Sequence, residues 1–342
     1  MDAVAPLQVA VVGMSYWGPN LARNFDRIEG SELRWACDLD EALLERHRGA
    51  FPRTRFTTDL DEVLSDPDTD AVVIATPVPT HAALALRVIA AGKHVFVEKP
   101  LALTAADARE VAESAEAADV TCMVDHLLVL HPGVTKVKEL VDSGHLGEVF
   151  YVYGNRLNLG IVRKDENALW SLGPHDISVM LHLVGERAVE VSATGACYLQ
   201  DDVEDVVFGR ILFESGITGH LHLSWLDPHK MRRMTVIGSE RMVVFDDMES
   251  ERKITVYDKG PVPRTGEYGE YIQVRSGDIF SPKIDAAEPL RLVCQHFLDS
   301  IRTGTAPIAD ARAGLATVEV LEAMDRSLAE NGRPVTLEGA SR

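Results

Sequence analysis

The sequence is short of several things. Only four of its 342 residues are cysteine, at 37, 122, 197 and 294, and none of them form a CxxC pair. That spacing argues against a disulfide framework and a zinc finger, and it fits a reducing compartment. Long apolar runs are missing: none approaches the about 18 residues of a membrane span. The opening MDAVAPLQVAVVG has neither the basic start nor the long apolar stretch of a secretory leader. Basic residues are in deficit. Lys plus Arg is 34 against 53 Asp plus Glu, a formal charge of −19. This balance speaks against nucleic acid and anionic membrane surfaces as partners. It suits a cationic substrate by steering, although an acidic surface also serves solubility alone. There are no internal repeats and no low-complexity tract. The chain reads as soluble and cytoplasmic. With 46% hydrophobic residues and a mean hydropathy of −0.02, it is long enough for two cored domains.

The first third alternates buried-strand runs with helical patterns. Strand runs are Leu7–Val12, Glu32–Cys37, Ala71–Ala75, His94–Val97 and Val120–Val124. Between them, Leu21, Phe25 and Ile28 mark one helical face. Asp40 and Thr104 stand as N-caps of further helices, and Thr80–Ala91 stops at Gly92. Strands alternating with helices predict a parallel sheet. Near Asp125 the pattern changes. After a helix over Pro132–Ser143, strand-like runs dominate from Glu148 to Tyr257, with short links that predict antiparallel pairing. Pro289–Ile301 and Ala313–Leu328 read as closing helices, and Gly260–Glu288 as a long surface excursion. The expected architecture is an α/β Rossmann domain with a doubly wound parallel sheet over 1–124. An α+β domain over 125–342 follows, with a large, mainly antiparallel open sheet.

The first strand runs into Gly13-Met14-Ser15-Tyr16-Trp17-Gly18 and then a helix. Gly13 permits a tight turn. The small Ser15 occupies the position where backbone N–H groups approach a pyrophosphate. Gly18 lets the helix pack close to the strand. The helix N-terminus faces the phosphates with its partial positive charge. Asp38, at the end of the second strand, is placed to accept hydrogen bonds from ribose hydroxyls and to repel a 2′-phosphate. That predicts NAD rather than NADP.

Two later stretches are Ala75-Thr76-Pro77-Val78-Pro79-Thr80-His81 and Gly92-Lys93-His94-Val95-Phe96-Val97-Glu98-Lys99-Pro100-Leu101. With the tail from Glu288-Pro289-Leu290 through His296-Phe297-Leu298 to Gly314 and Glu322, the chain resembles the Gfo/Idh/MocA family of sugar and inositol dehydrogenases. Its hallmark is a Glu-Lys-Pro after the fifth strand. Tyr16-Trp17-Gly18-Pro19-Asn20-Leu21 and Asp165–Trp170 followed by Gly173-Pro174-His175-Asp176 resemble the nucleotide-sugar 3-dehydrogenases of the family. Dehydrogenases that oxidise a ring hydroxyl before transamination in aminoglycoside and amino-sugar antibiotic pathways are similar too.

The resemblance implies that Thr76, Pro77, His81, Glu98 and Lys99 join Gly13, Ser15, Tyr16, Trp17, Gly18 and Asp38 around NAD. Read from the residues, Lys99 ends an apolar strand at the edge where open α/β sheets place ligands, so partial desolvation should lower its pKa. It can hold the reacting hydroxyl and share its proton. The resemblance makes His175 the acceptor of the alcohol proton. The family Asp four residues earlier is Ser171 here, which can accept a hydrogen bond but supplies no charge. His126, Arg163, Asp165 and Asn167 are further implied substrate contacts, and Arg156, Arg163 and Lys164 could bind a diphosphate. His220 and His222 share a strand face. No HExxH-like spacing occurs, so no metal is expected. In the family the second-domain sheet pairs with another subunit, so the resemblance implies a homodimer or homotetramer. Two other readings stay open: a non-catalytic NAD-binding regulator, and an NAD-dependent glycosidase.

Overall fold

The computed structural model describes residues 5–160, 162–164, 166–261 and 274–338. The chain divides into two compact units, Met1–Leu130 with Ala287–Val318, and His131–Ala286 with Glu319–Arg342.

The first unit opens with β1 (Leu7–Val12), α1 (Gly18–Arg27), β2 (Ser31–Cys37), α2 (Glu41–Arg48), β3 (Arg55–Thr57) and α3 (Leu60–Ser65). It continues through β4 (Ala71–Ile74), α4 (His81–Ala90), β5 (His94–Val97), α5 (Ala105–Ala117) and β6 (Cys122–Val124). The six strands form one parallel sheet in the order β3-β2-β1-β4-β5-β6. The order reverses between β1 and β4, and such a switch point opens a ligand crevice at the carboxyl ends of the strands. β4 is buried along its whole length, as a central parallel strand covered on both faces should be. Side-chain caps fix the helix starts: Asp40, Asp59 and Thr104 accept N–H bonds from Ala42, Asp61 and Asp107. β3 and α3 were not legible as runs, because three and six residues carry too little periodicity.

The second unit holds α6 (Pro132–Asp142), β7 (Val149–Leu159), α7 (Ala168–Val184), β8 (Ala188–Ala196), β9 (Val206–Phe213) and β10 (Thr218–Ser224). β11 (Leu226–Gly238), β12 (Met242–Asp246), β13 (Ile254–Pro261), β14 (Val274–Phe280) and β15 (Val335–Thr336) complete a nine-stranded sheet, β14-β13-β12-β11-β7-β10-β9-β8-β15. It is antiparallel except where β10 runs parallel to β7. β10 and β11 follow each other directly yet do not pair, since β7 lies between them. The long excursion through α7, β8 and β9 is the crossover that the parallel pair requires. Part of the stretch read as a surface excursion is the strand β14, and 262–273 lie outside the described residues. α7 packs on β7, β9 and β10.

The last helices are α8 (Pro289–Thr303) and α9 (Ala311–Ala329). α8 belongs to the first unit, where Phe297 meets Phe25 and Phe96 edge to face at 6.4 and 5.5 Å. All three rings are fully buried, and each such pair adds about 0.5–1.5 kcal/mol beyond burial.

Candidate active site

Gly13 leaves β1 with φ +94°. A Cβ there would stand 2.5 Å from the Ala75 carbonyl oxygen, and one on Gly18 would stand 1.7 Å from that of Gly13. Both positions therefore require glycine. Trp17 is the N-cap of α1 and makes no side-chain cap bond; Pro19 has no N–H and the Asn20 N–H donates to the Trp17 carbonyl at 2.9 Å, so it is the Gly18 N–H at the helix start that can meet an anion. Ser15 and Tyr16 are exposed beside this turn. Asp38 Oδ2 accepts the Met14 N–H at 2.6 Å, and its Oδ1 accepts that of Asp40 at 3.0 Å. A carboxylate thus sits against the turn, as ribose binding needs. The turn, the uncapped helix and Asp38 together fit a dinucleotide.

Across the switch point, the Thr76 hydroxyl lies 2.7 Å from that of Thr80, which donates to the Pro77 carbonyl at 2.7 Å. His81 is buried with its ring nitrogens 2.8 Å from the carbonyl oxygens of Pro100 and Thr76. Its pKa is lowered by burial, against the pull of the two carbonyls.

At the ends of β5 and β6 stand Glu98, Lys99, Asp125 and His126. Asp125 Oδ2 accepts the Trp17 indole N–H at 3.4 Å, and Glu98 Oε2 accepts the Lys99 N–H at 3.2 Å. Burial and then the neighbouring Asp125 carboxyl push the Glu98 carboxyl well above its ordinary range. Burial also raises Asp125, while contacts with Glu98, Trp17 and the Lys99 charge favour its ionised form. His126 is held to about 3 by burial and, second, by Lys99, so its ring is neutral. Neither ring nitrogen of His126 has a hydrogen-bond partner among the described residues. An apolar shell with a few convergent polar atoms and one ammonium is a setting in which proton chemistry is controlled.

In the second unit, Asn167 caps α7 by accepting the Trp170 N–H at 3.1 Å, and it donates to Glu204 and Asp325 at 2.9 and 3.4 Å. Ser171 and His175 follow on this helix, both half-buried. The buried Asp176 carboxylate takes two bonds from Arg156, at 2.5 and 3.3 Å. It therefore faces β7 and does not stand in for the acid missing at 171. Arg156 is committed to this pair, which removes it as a diphosphate ligand. Arg163 pairs with Glu166 at 3.0 Å, Lys164 is exposed, and Asp165 lies outside the described residues.

The first unit thus gathers the cofactor candidates and His126, and the second gathers Arg163, Asn167, Ser171 and His175. Sequence reading passed over Asp125. Its available signal was register: Val97 pairs with Val124, so the next residues of the two strands are neighbours.

A family model described as "Oxidoreductase family, NAD-binding Rossmann fold" matches residues 7–126, and one for the GFO/IDH/MocA C-terminal domain matches 134–244. The chain belongs to the Gfo/Idh/MocA family. It is an oxidoreductase with an NAD-binding domain, in a family of NAD-dependent sugar- and inositol-type dehydrogenases. Within the family, the scyllo-inositol 2-dehydrogenase (NAD(+)) of Bacillus subtilis (strain 168) is 26% identical, covering 97% of this chain and 96% of its own. Among solved structures, GenD2 from gentamicin A biosynthesis in complex with NAD is 28% identical with a TM-score of 0.81, over 99% of this chain and 98% of its own. UDP-N-acetylglucosamine 3-dehydrogenase GnnA from Acidithiobacillus ferrooxidans has the same fold, with a TM-score of 0.82 at 22% identity over 95% and 98%.

Proposed function

We propose that this chain is a cytoplasmic dehydrogenase that oxidises a secondary ring hydroxyl, at C3, of a sugar, amino sugar or nucleotide sugar to a ketone. The observation that carries the reading is Lys99 at the carboxyl end of β5, beside the buried carboxyls of Glu98 and Asp125. NAD, when bound, supplies the hydride acceptor. Gly13, Ser15, Tyr16, Trp17 and Gly18 hold its phosphates, Asp38 its ribose, and Thr76, Pro77, His81 and Glu98 line its path. Lys99 holds the reacting hydroxyl and shares its proton, and His175 accepts that proton. The carbon gives up its hydrogen with the bonding pair, the oxygen gives up a proton, and a carbonyl remains. His126, Arg163, Asp165, Asn167 and Ser171 contact the substrate.

The net charge of −19 and the 28% identity with GenD2 support a cationic amino sugar over an anionic diphosphate, ahead of a transamination. The outer face of the nine-stranded sheet carries Tyr151, Tyr153, Phe208, His220 and His222, with the Phe208 and His222 rings stacked at 4.3 Å. Such a face supports a homodimer or homotetramer.

The test is NADH formation by the purified chain with inositols, UDP-N-acetylglucosamine and aminoglycosides. Net NADH with an amino sugar is expected. Sugar release without net NADH would make it a glycosidase, and tight NAD binding with no turnover would make it a regulator.

A further inference from the structure

Asp125 donates its N–H to the Val97 carbonyl at 2.8 Å, which sets it beside Glu98 at the tips of neighbouring strands. One oxygen of each carboxyl is accounted for: Glu98 Oε2 by the Lys99 N–H and Asp125 Oδ2 by the Trp17 indole. The other two, Glu98 Oε1 and Asp125 Oδ1, are sealed from solvent and have no donor among the described residues. Two adjoining buried carboxylates cannot both stay ionised. One proton held between them removes a charge and supplies the missing hydrogen bond.

We propose that Glu98 and Asp125 are a buried acid pair holding one proton, and that Asp125 acts through this pair as a positioning residue for Lys99. The proton resides on Glu98, and Asp125 carries the charge, steadied by Trp17. The groups that interact with the pair are Lys99 beyond β5, Trp17 at the start of α1 and Cys294 on α8, while His126 beyond β6 faces Lys99. His81 on α4 faces Lys99. Burial keeps His81 and His126 neutral and the Cys294 thiol protonated. The Arg23–Glu288 ion pair, closed at 2.6 Å, acts on Cys294 from farther out. Among these neighbours of the pair, Lys99 is then the cation and the pair the anion. Its single charge holds the Lys99 proton against the desolvation that would strip it. The meaning of this for turnover rests on the proposed role of Lys99, but the proton count does not.

Two measurements on the full chain without substrate test it. The first is the infrared carbonyl stretch of a protonated carboxyl at neutral pH. A band lost in Glu98→Gln, whose amide mimics the protonated acid, is expected; a difference spectrum without that band overturns the shared proton. The second is the pH midpoint for acylation of Lys99 by acetic anhydride, read by mass spectrometry. Glu98→Gln should leave the midpoint in place, because Asp125 keeps its charge. The double variant Glu98→Gln/Asp125→Asn, which removes that charge at constant shape, should lower it by about one pH unit. An unmoved midpoint in the double variant overturns the positioning role. Neither readout needs a substrate, so failure of the proposed reaction would be seen separately.

Discussion

Nδ1 of His81 lies 2.8 Å from the carbonyl oxygen of Pro100. The other ring nitrogen meets the Thr76 carbonyl at the same distance, so one buried imidazole ties the loop after β4 to the turn that carries Lys99. A neutral ring has one N–H and can satisfy only one of these carbonyls by donation. His81→Phe removes that one donor and leaves the carbonyl it served without a partner. The expected loss is about 2 kcal/mol of stability in urea unfolding, together with weaker NAD binding. Wild-type values for both would show that the tie does no positioning.

His126 gives a pH dependence with a definite sign. Its folded pKa of about 3 lies below the ordinary value of 6.5. Between those values the unfolded chain binds more protons, so stability is fully present above pH 6.5 and is lost as pH falls towards 3. The raised Glu98 carboxyl acts in the opposite sense: its contribution is present at acid pH and fades as pH rises through its folded pKa. His126→Leu should flatten the acid loss in denaturation midpoints, and Glu98→Gln the decline with rising pH. Slopes unchanged by either substitution would contradict these assignments.

The opening turn admits no side chain at its first position. Gly13→Ala must clear the Ala75 carbonyl and hold φ +94°, a strain of about 2 kcal/mol. Calorimetric titration should show NAD affinity falling by more than tenfold, roughly. At the ribose, Asp38→Ala should narrow the preference for NAD over NADP, because the repelling carboxylate is gone. If the variant rejected NADP as strongly as the parent does, the specificity would have to come from another residue.

Arg156 and Asp176 are both buried, so neither tolerates loss of its partner. Arg156→Met or Asp176→Leu alone should cost about 3–5 kcal/mol, and the two together clearly less than the sum. A double-mutant cycle in urea reads this directly, and strict additivity would mean that the pair does not couple α7 to β7.

Much of the fold and part of the site could be read from the chain alone. LQVAVV, AVVI and HVFV are apolar runs long enough to declare strands, and Gly13 and Gly18 sit where backbone contact leaves no room for a Cβ. β3 and α3 escaped because their order is imposed by neighbours rather than by their own pattern. The β7–β10 pairing escaped because strand partners far apart in sequence leave no local trace. Asp125 was invisible for the same reason: an aspartate after a strand looks like any turn residue until register puts it beside Glu98. Arg156 looked like a free cation because its partner lies on α7.

In the proposed reaction Lys99 handles the proton of the hydroxyl being oxidised. This role is tested most directly by rapid-mixing NADH formation with Lys99→Met, using the best sugar found for the parent and NAD affinity measured alongside. The expected rate is about 10³-fold lower, with NAD bound as tightly as before. A Lys99→Met chain that forms NADH at the parent rate would contradict it.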